Sequence, residues 1–81
     1  MNTTLNSDKI IELFKNKYND IIDLTSKIRD TEIKGYKAFD ANGEGISSIR
    51  YNPNINMYQC WLGDSELISN DVEKVKIFLE L

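Results

Sequence analysis

The 81-residue sequence predicts an α+β fold, in which a long helix, an antiparallel sheet of three or four strands, and a short helix follow one another. Apolar residues recur every three to four positions near both ends of the chain, as they do in amphipathic helices. Between about Ile33 and Asp71 the period changes to two, as it does in strands. Turn residues divide this middle region into short segments, which favours a meander. We expect a single domain over residues 1–81, with both helices on one face of the sheet.

The first helix is predicted to begin near Ser7 or Asp8 and to continue to about Ile28 or Asp30. Asn6 and Ser7 are both favourable N-cap residues. The main apolar stripe of this segment consists of Ile11, Phe14, Tyr18, Ile21, Thr25 and Ile28. Additional apolar residues widen the stripe, so we expect it to cover a sheet and not to form a coiled-coil seam.

Three strands are predicted after the first helix, over residues 33–39, 46–51 and 57–62, with residues 66–68 as a candidate for a short fourth strand. Asn42-Gly43 is a strong hairpin signal, because both residues tolerate a positive φ. Pro53 ends the second strand, since proline cannot donate to a ladder. Gly63-Asp64 predicts the next turn, and the last strand is expected at the sheet edge.

A second, short helix is predicted from about Asp71 to the end of the chain. Asn70 is the expected N-cap, with Glu73 three residues later in the capping-box position. The apolar residues that share one side of this helix are Val72, Val75, Phe78 and Leu79.

Strand parity predicts which sheet face remains uncovered. The polar residues Ser48, Arg50 and Gln59 suit water, so their side is the expected open side. The same side is predicted to display Phe39, Ile46, Met57 and Trp61. The covered side is predicted to hold Tyr36, Ala38, Ile49, Tyr51, Tyr58, Cys60 and Leu62. The predicted core consists of Phe14, Tyr18, Ile21, Ile49, Tyr58, Leu62, Val75 and Leu79. A bulge near Gly35 or Gly45 would exchange the two sides of the first strand.

Side chains suited to catalysis or metal binding are scarce. The chain has no histidine and one cysteine, which excludes cysteine–histidine catalysis and the usual zinc sites. Asp40 with Glu44, and Asp64 with Glu66, are carboxylate pairs in turns, where such residues usually stabilise the turn. We therefore expect no enzyme, no cofactor and no metal. Cys60 is interpreted as a small buried apolar residue.

The charge and hydropathy of the chain argue against nucleic acid and membranes as partners. The net charge is -3 and the sequence pI is about 4.8, whereas nucleic-acid-binding domains usually have a basic excess. The amino terminus lacks the basic and apolar regions of a signal peptide, and no apolar run approaches the roughly 20 residues that cross a bilayer. A lone cysteine is typical of a reducing compartment. We expect a cytoplasmic protein with no membrane partner.

These observations favour a small, acidic protein-binding module that regulates or inhibits a larger protein without catalysis. Antitoxins, immunity proteins and phage-encoded inhibitors of host defence share this size and charge. The predicted partner-binding residues are Trp61, Met57, Arg50, Phe39 and Gln59. Trp61 is the expected anchor, because tryptophan is enriched at interface hot spots. The alternatives are a nucleic-acid-binding domain that uses the same sheet face and a small homodimeric structural protein.

Overall fold

A computed structural model describes residues 7–81, in which two helices accompany a six-stranded antiparallel sheet. Helix α1 spans Ser7–Lys17 and helix α2 spans Val72–Phe78. The strands are β1 (Ile21–Asp23), β2 (Ser26–Ile28), β3 (Thr31–Phe39), β4 (Gly45–Asn52), β5 (Met57–Leu62) and β6 (Ser65–Ser69). Both β1 and β2 pair with β3, and the sheet continues through β4 and β5 to β6. The predicted α+β class and antiparallel meander are confirmed.

The predicted long first helix is wrong, because α1 ends at Lys17. The remainder of the predicted helix lies in the sheet as β1 and β2. These two strands pair with β3 in one continuous register, and the last pair of that register is Ile28 with Thr31. Arg29, at φ +58°, and Asp30 form the two-residue turn that joins β2 to β3. A first turn residue with positive φ is typical of tight hairpins. The sheet thus has six strands and not the predicted three or four.

The local sequence explains where α1 ends. Asn19 and Asp20 are poor helix formers, and the Asp20 carbonyl accepts a hydrogen bond from the Phe39 amide at 2.9 Å. This bond places the chain beside β3 at the start of β1. Within residues 7–81, no helix is long and apolar enough to cross a membrane.

The other four strands match the predicted ones. The bounds of β5 are those predicted, and β3, β4 and β6 extend one or two residues further. The Asn42-Gly43 turn is also confirmed, since Gly43 adopts φ +80° and its amide donates to the Asp40 carbonyl at 3.0 Å.

Both helices pack against the same face of the sheet, because their buried residues join one cluster. Its members are Ile10, Ile11, Phe14, Ala38, Ile49, Tyr58, Cys60, Val75 and Leu79. Five of the eight predicted core residues belong to this cluster. The other three, Tyr18, Ile21 and Leu62, are half-buried against it. All seven residues assigned to the covered side lie in the cluster or pack against it.

The ends of α2 differ from the predicted ones. The N-cap is Asp71 and not Asn70, because the Asp71 Oδ1 accepts hydrogen bonds from the amides of Glu73 and Lys74 at 3.0 and 3.4 Å. The helix also stops at Phe78, short of the end of the chain. Asn6, predicted as a cap of α1, lies outside the described residues.

Candidate functional site

The sheet surface opposite the helices is the candidate site, and we call it the open face. Residues directly opposite each other in an antiparallel sheet point to the same side, so the register arranges this face in two rows across the strands. The first row is Ile22, Lys37, Ser48, Trp61 and Glu66. The second row is Leu24, Gly35, Arg50, Gln59 and Ile68.

Exposed apolar side chains concentrate on the open face. Within residues 7–81, the exposed large apolar residues are Ile22, Leu24, Ile28, Ile55, Ile68 and Ile77. Three of these six, Ile22, Leu24 and Ile68, belong to the two rows of the open face. Ile22 and Leu24 are at the β1 edge, and Ile68 is on β6 at the other edge. Apolar groups that gather on one exposed surface indicate a contact site.

Lys37 lies between two aromatic rings at one end of the open face. Its Nζ is 5.5 Å from the ring centroid of Phe39 and 5.9 Å from that of Trp61, within the range of cation–π attraction. Gly45 makes this position possible, because a Cβ there would lie 2.6 Å from the Lys37 Cε. The lysine stem therefore crosses the backbone at Gly45, and its ammonium is held beside the tryptophan.

Arg50 divides the centre of the open face into two depressions. One, of about 290 Å³, extends from Arg50 past Gln59 to Ile68. The other, of about 320 Å³, lies over Gly35 and is bounded by Leu24. The Arg50 Cγ is 3.7 Å from the position that a Gly35 Cβ would occupy. The missing side chain at Gly35 thus leaves space beside the arginine stem.

Two opposite charges of the open face have no ion-pair partner within the described residues. The ion pair found in this part of the chain joins Lys34 to Asp8 at 2.7 Å, on the side of the helices. Arg50 and Glu66 are both exposed. Their charges are therefore accessible to a partner at the open face.

The structure places four of the five predicted partner-binding residues on the open face by register. Arg50 and Gln59 are exposed, and Trp61 is half-buried. Met57 pairs with Asn52, and this is the next pair on the same face after Arg50 and Gln59. Phe39 joins them through its contact with Lys37.

The placement of Ile46 on the open side is wrong, because it packs against the core. The register shifts between Ala38 and Phe39, so that Phe39 pairs with Gly45 while Ala38 pairs with Ser47. Ile46 is left without a direct partner. Such a bulge redirects the extra residue. Ile33 also departs from simple alternation, since it is buried outside the core cluster although its parity is that of Gly35.

Sequence reasoning missed Ile22, Leu24 and Ile28 as surface residues, because it placed them in the first helix. A signal was nevertheless present, since residues 21–28 contain four β-branched side chains, which favour strands. It also left Glu66 and Ile68 out of the site, although they continue the two rows into β6.

Other reactive groups are engaged or buried. Cys60 is buried on the helix-covered side, and burial raises the pKa of its thiol to about 12. The Asp40 Oδ1 accepts hydrogen bonds from the amides of Asn42 and Glu44 at 2.8 and 3.0 Å, which is the role of a turn former. Residues 7–81 contain no group of three or more acidic, cysteine or histidine side chains arranged to hold a metal ion.

Comparison of the chain with protein-family models, with curated proteins and with solved structures finds no match in any of the three.

Proposed function

We propose that this chain is a small intracellular protein-binding module that docks through its open face and regulates or inhibits a larger protein without catalysis. The observation that supports this function is the concentration of exposed apolar side chains on one sheet face, around Trp61 and Arg50. Tryptophan and arginine are enriched at interface hot spots. A mixed surface of this kind, apolar with a few charges, is typical of interface cores with polar groups at their rim.

A protein partner fits this surface better than a nucleic acid does. Lys34 is paired with Asp8 on the helix side, so it does not add positive charge to the open face. Lys37 and Arg50 are the basic residues of the two rows, and the acidic Glu66 lies on the same surface. A net charge of -3 also opposes the approach of a phosphate backbone.

The test uses two isoleucines of similar exposure on different surfaces. Ile68 is 62% exposed on the open face, and Ile77 is 75% exposed on α2. Serine at either position should change the free energy of unfolding little, because neither side chain is buried. We expect Ile68→Ser to lose the protein partners recovered by cross-linking in cells that make the chain, and Ile77→Ser to retain them. Trp61→Ala should weaken the same binding by at least about 2 kcal/mol.

Three results would count against this function. Equal loss of partners in both serine variants would place the contact elsewhere. Retention of the partners in Ile68→Ser and Trp61→Ala would exclude the open face. A complex whose affinity falls steeply with added salt and disappears after nuclease treatment would identify nucleic acid as the ligand.

A further inference from the structure

We propose that the open face also pairs with the open face of a second copy, so that a homodimer conceals this surface and competes with the binding of another protein. The inference rests on the proposed function, because it requires the open face to be a protein-binding surface. The observation that supports the dimer itself is that each row of the open face is complementary to the same row of a second copy after a two-fold rotation.

The rotation is defined by the sheet. Two sheets that pack face to face align their strands to within about 30°. A two-fold axis parallel to the strands, located between β4 and β5, places β4 over β5 of the second copy and β3 over its β6. Each row then lies over the same row of the other copy. Such an interface is isologous, so every contact occurs twice.

In the first row this arrangement pairs opposite charges. Lys37 on β3 lies over Glu66 of the second copy, and the symmetry repeats the pair. Within one chain these two residues are three strands apart in the row, and no ion pair joins them in the described part of the chain. Ser48 lies over the second copy's Trp61, where a small residue leaves room for the indole ring.

In the second row the arrangement pairs a projecting side chain with a depression. Ile68 of one copy lies over Gly35 of the other, where the 320 Å³ depression is open. Arg50 lies over Gln59 of the second copy, and a guanidinium can donate hydrogen bonds to the glutamine Oε1. The charges of Lys37 and Glu66, the shapes of Ile68 and the depression over Gly35, and the hydrogen-bonding groups of Arg50 and Gln59 are therefore complementary for one choice of axis.

The size of the surface predicts a weak dimer. Four strands about 4.8 Å apart and about 20 Å long give a projected area of about 400 Å² per copy. A standard stable interface buries about 800 Å² per partner. We therefore expect reversible association in the micromolar range or weaker, which another protein with a larger contact can displace.

The experiment is sedimentation velocity from low micromolar to near-millimolar concentrations. Lys37→Glu and Glu66→Lys each create two like-charge contacts in the proposed dimer, so each should weaken association at least about tenfold. In an equimolar mixture of the two variants, both contacts become attractive again, and dimers should form about as readily as in the original chain. Lys27→Glu and Glu32→Lys, which reverse paired charges on the other side of the hairpin, should leave association unchanged. Thermal unfolding of each variant checks that it folds.

Three outcomes overturn the dimer: an original chain that stays monomeric at near-millimolar concentration, single variants that associate normally, or a mixture no better than its components. The proposed function is tested separately by the Ile68→Ser and Ile77→Ser variants in cells. A monomer whose partners are lost in Ile68→Ser alone would refute the second copy and retain the open face as a binding surface. A dimer with no loss of partners in Ile68→Ser would retain the second copy and refute the binding of another protein at the open face.

Discussion

Replacing Phe14 with alanine tests the assignment of the sheet faces most directly. Phe14 has no solvent-exposed area, and its ring centroid is 5.1 Å from that of Tyr18. Truncating a buried phenylalanine costs about 3 to 5 kcal/mol, through lost burial and the cavity left behind. A domain of this length has about 4 to 12 kcal/mol of stability in total. Phe14→Ala should therefore remove about a quarter or more of the free energy of unfolding.

Ile22→Ala is the matched comparison on the open face. Ile22 is 44% exposed, so its truncation leaves no closed cavity and should cost about 1 kcal/mol or less. Equilibrium unfolding in guanidinium, followed by Trp61 fluorescence and far-ultraviolet circular dichroism, measures both variants, and the denaturant dependence of stability should not change. A loss below about 1 kcal/mol in Phe14→Ala, or an equal loss in Ile22→Ala, would refute the assignment of the faces.

Three further predictions concern individual contacts. Asp71→Ala should lower stability by about 1 kcal/mol through loss of the α2 cap, whereas Asn70→Ala should have little effect; denaturant midpoints of the two variants decide this. Lys17→Met should cost about 1 kcal/mol or more, because the Lys17 Nζ donates to the carbonyls of Leu79 and Glu80 at 3.0 and 3.1 Å, and equal stability would contradict it. Native Cys60 should resist iodoacetamide until the chain unfolds. Burial raises the pKa of the Cys60 thiol from 9.0 to about 12, so the thiol ionises at lower pH in the unfolded chain than in the folded one. The contribution of the buried, neutral thiol to stability is therefore complete below about pH 9 and is lost as the pH rises towards about 12. Cys60→Ala should lack that part of the pH dependence.

The covered side of the sheet was predictable from sequence because alternation in the central strands is regular. Tyr58 and Cys60 point towards the helices while Gln59 points away. Period two is a direct consequence of strand geometry, and proline, asparagine and glycine mark the turns. The bulge was predicted only in general terms, since the residue that leaves the ladder depends on the register of two strands. Ile46 was therefore assigned to the wrong side.

The first helix was overextended because residues 21–28 fit both periods. Ile21, Thr25 and Ile28 are spaced by steps of three and four, as on one side of a helix, while Ile22 and Leu24 alternate as in a strand. Pairing with β3 decides between the two patterns, and a long-range contact of this kind is not visible in the local sequence. The turn at Arg29-Asp30 also contains neither glycine nor asparagine. The β1–β2 edge of the open face consequently appeared only in the structure.

The meander has a consequence for how the chain folds. From β2 to β6 each strand pairs with the next one in sequence, and β1 extends the pairing of β2 along β3, so the sheet can grow through short loops whose closure costs little entropy. The contact of Lys17 with the carbonyls of Leu79 and Glu80 is different, because it joins residues 62 and 63 positions apart. We expect this contact to form after the folding transition state. Lys17→Met should then accelerate unfolding and leave the folding rate almost unchanged, so that the two helices determine how long the native state lasts while the hairpins determine how quickly it is reached.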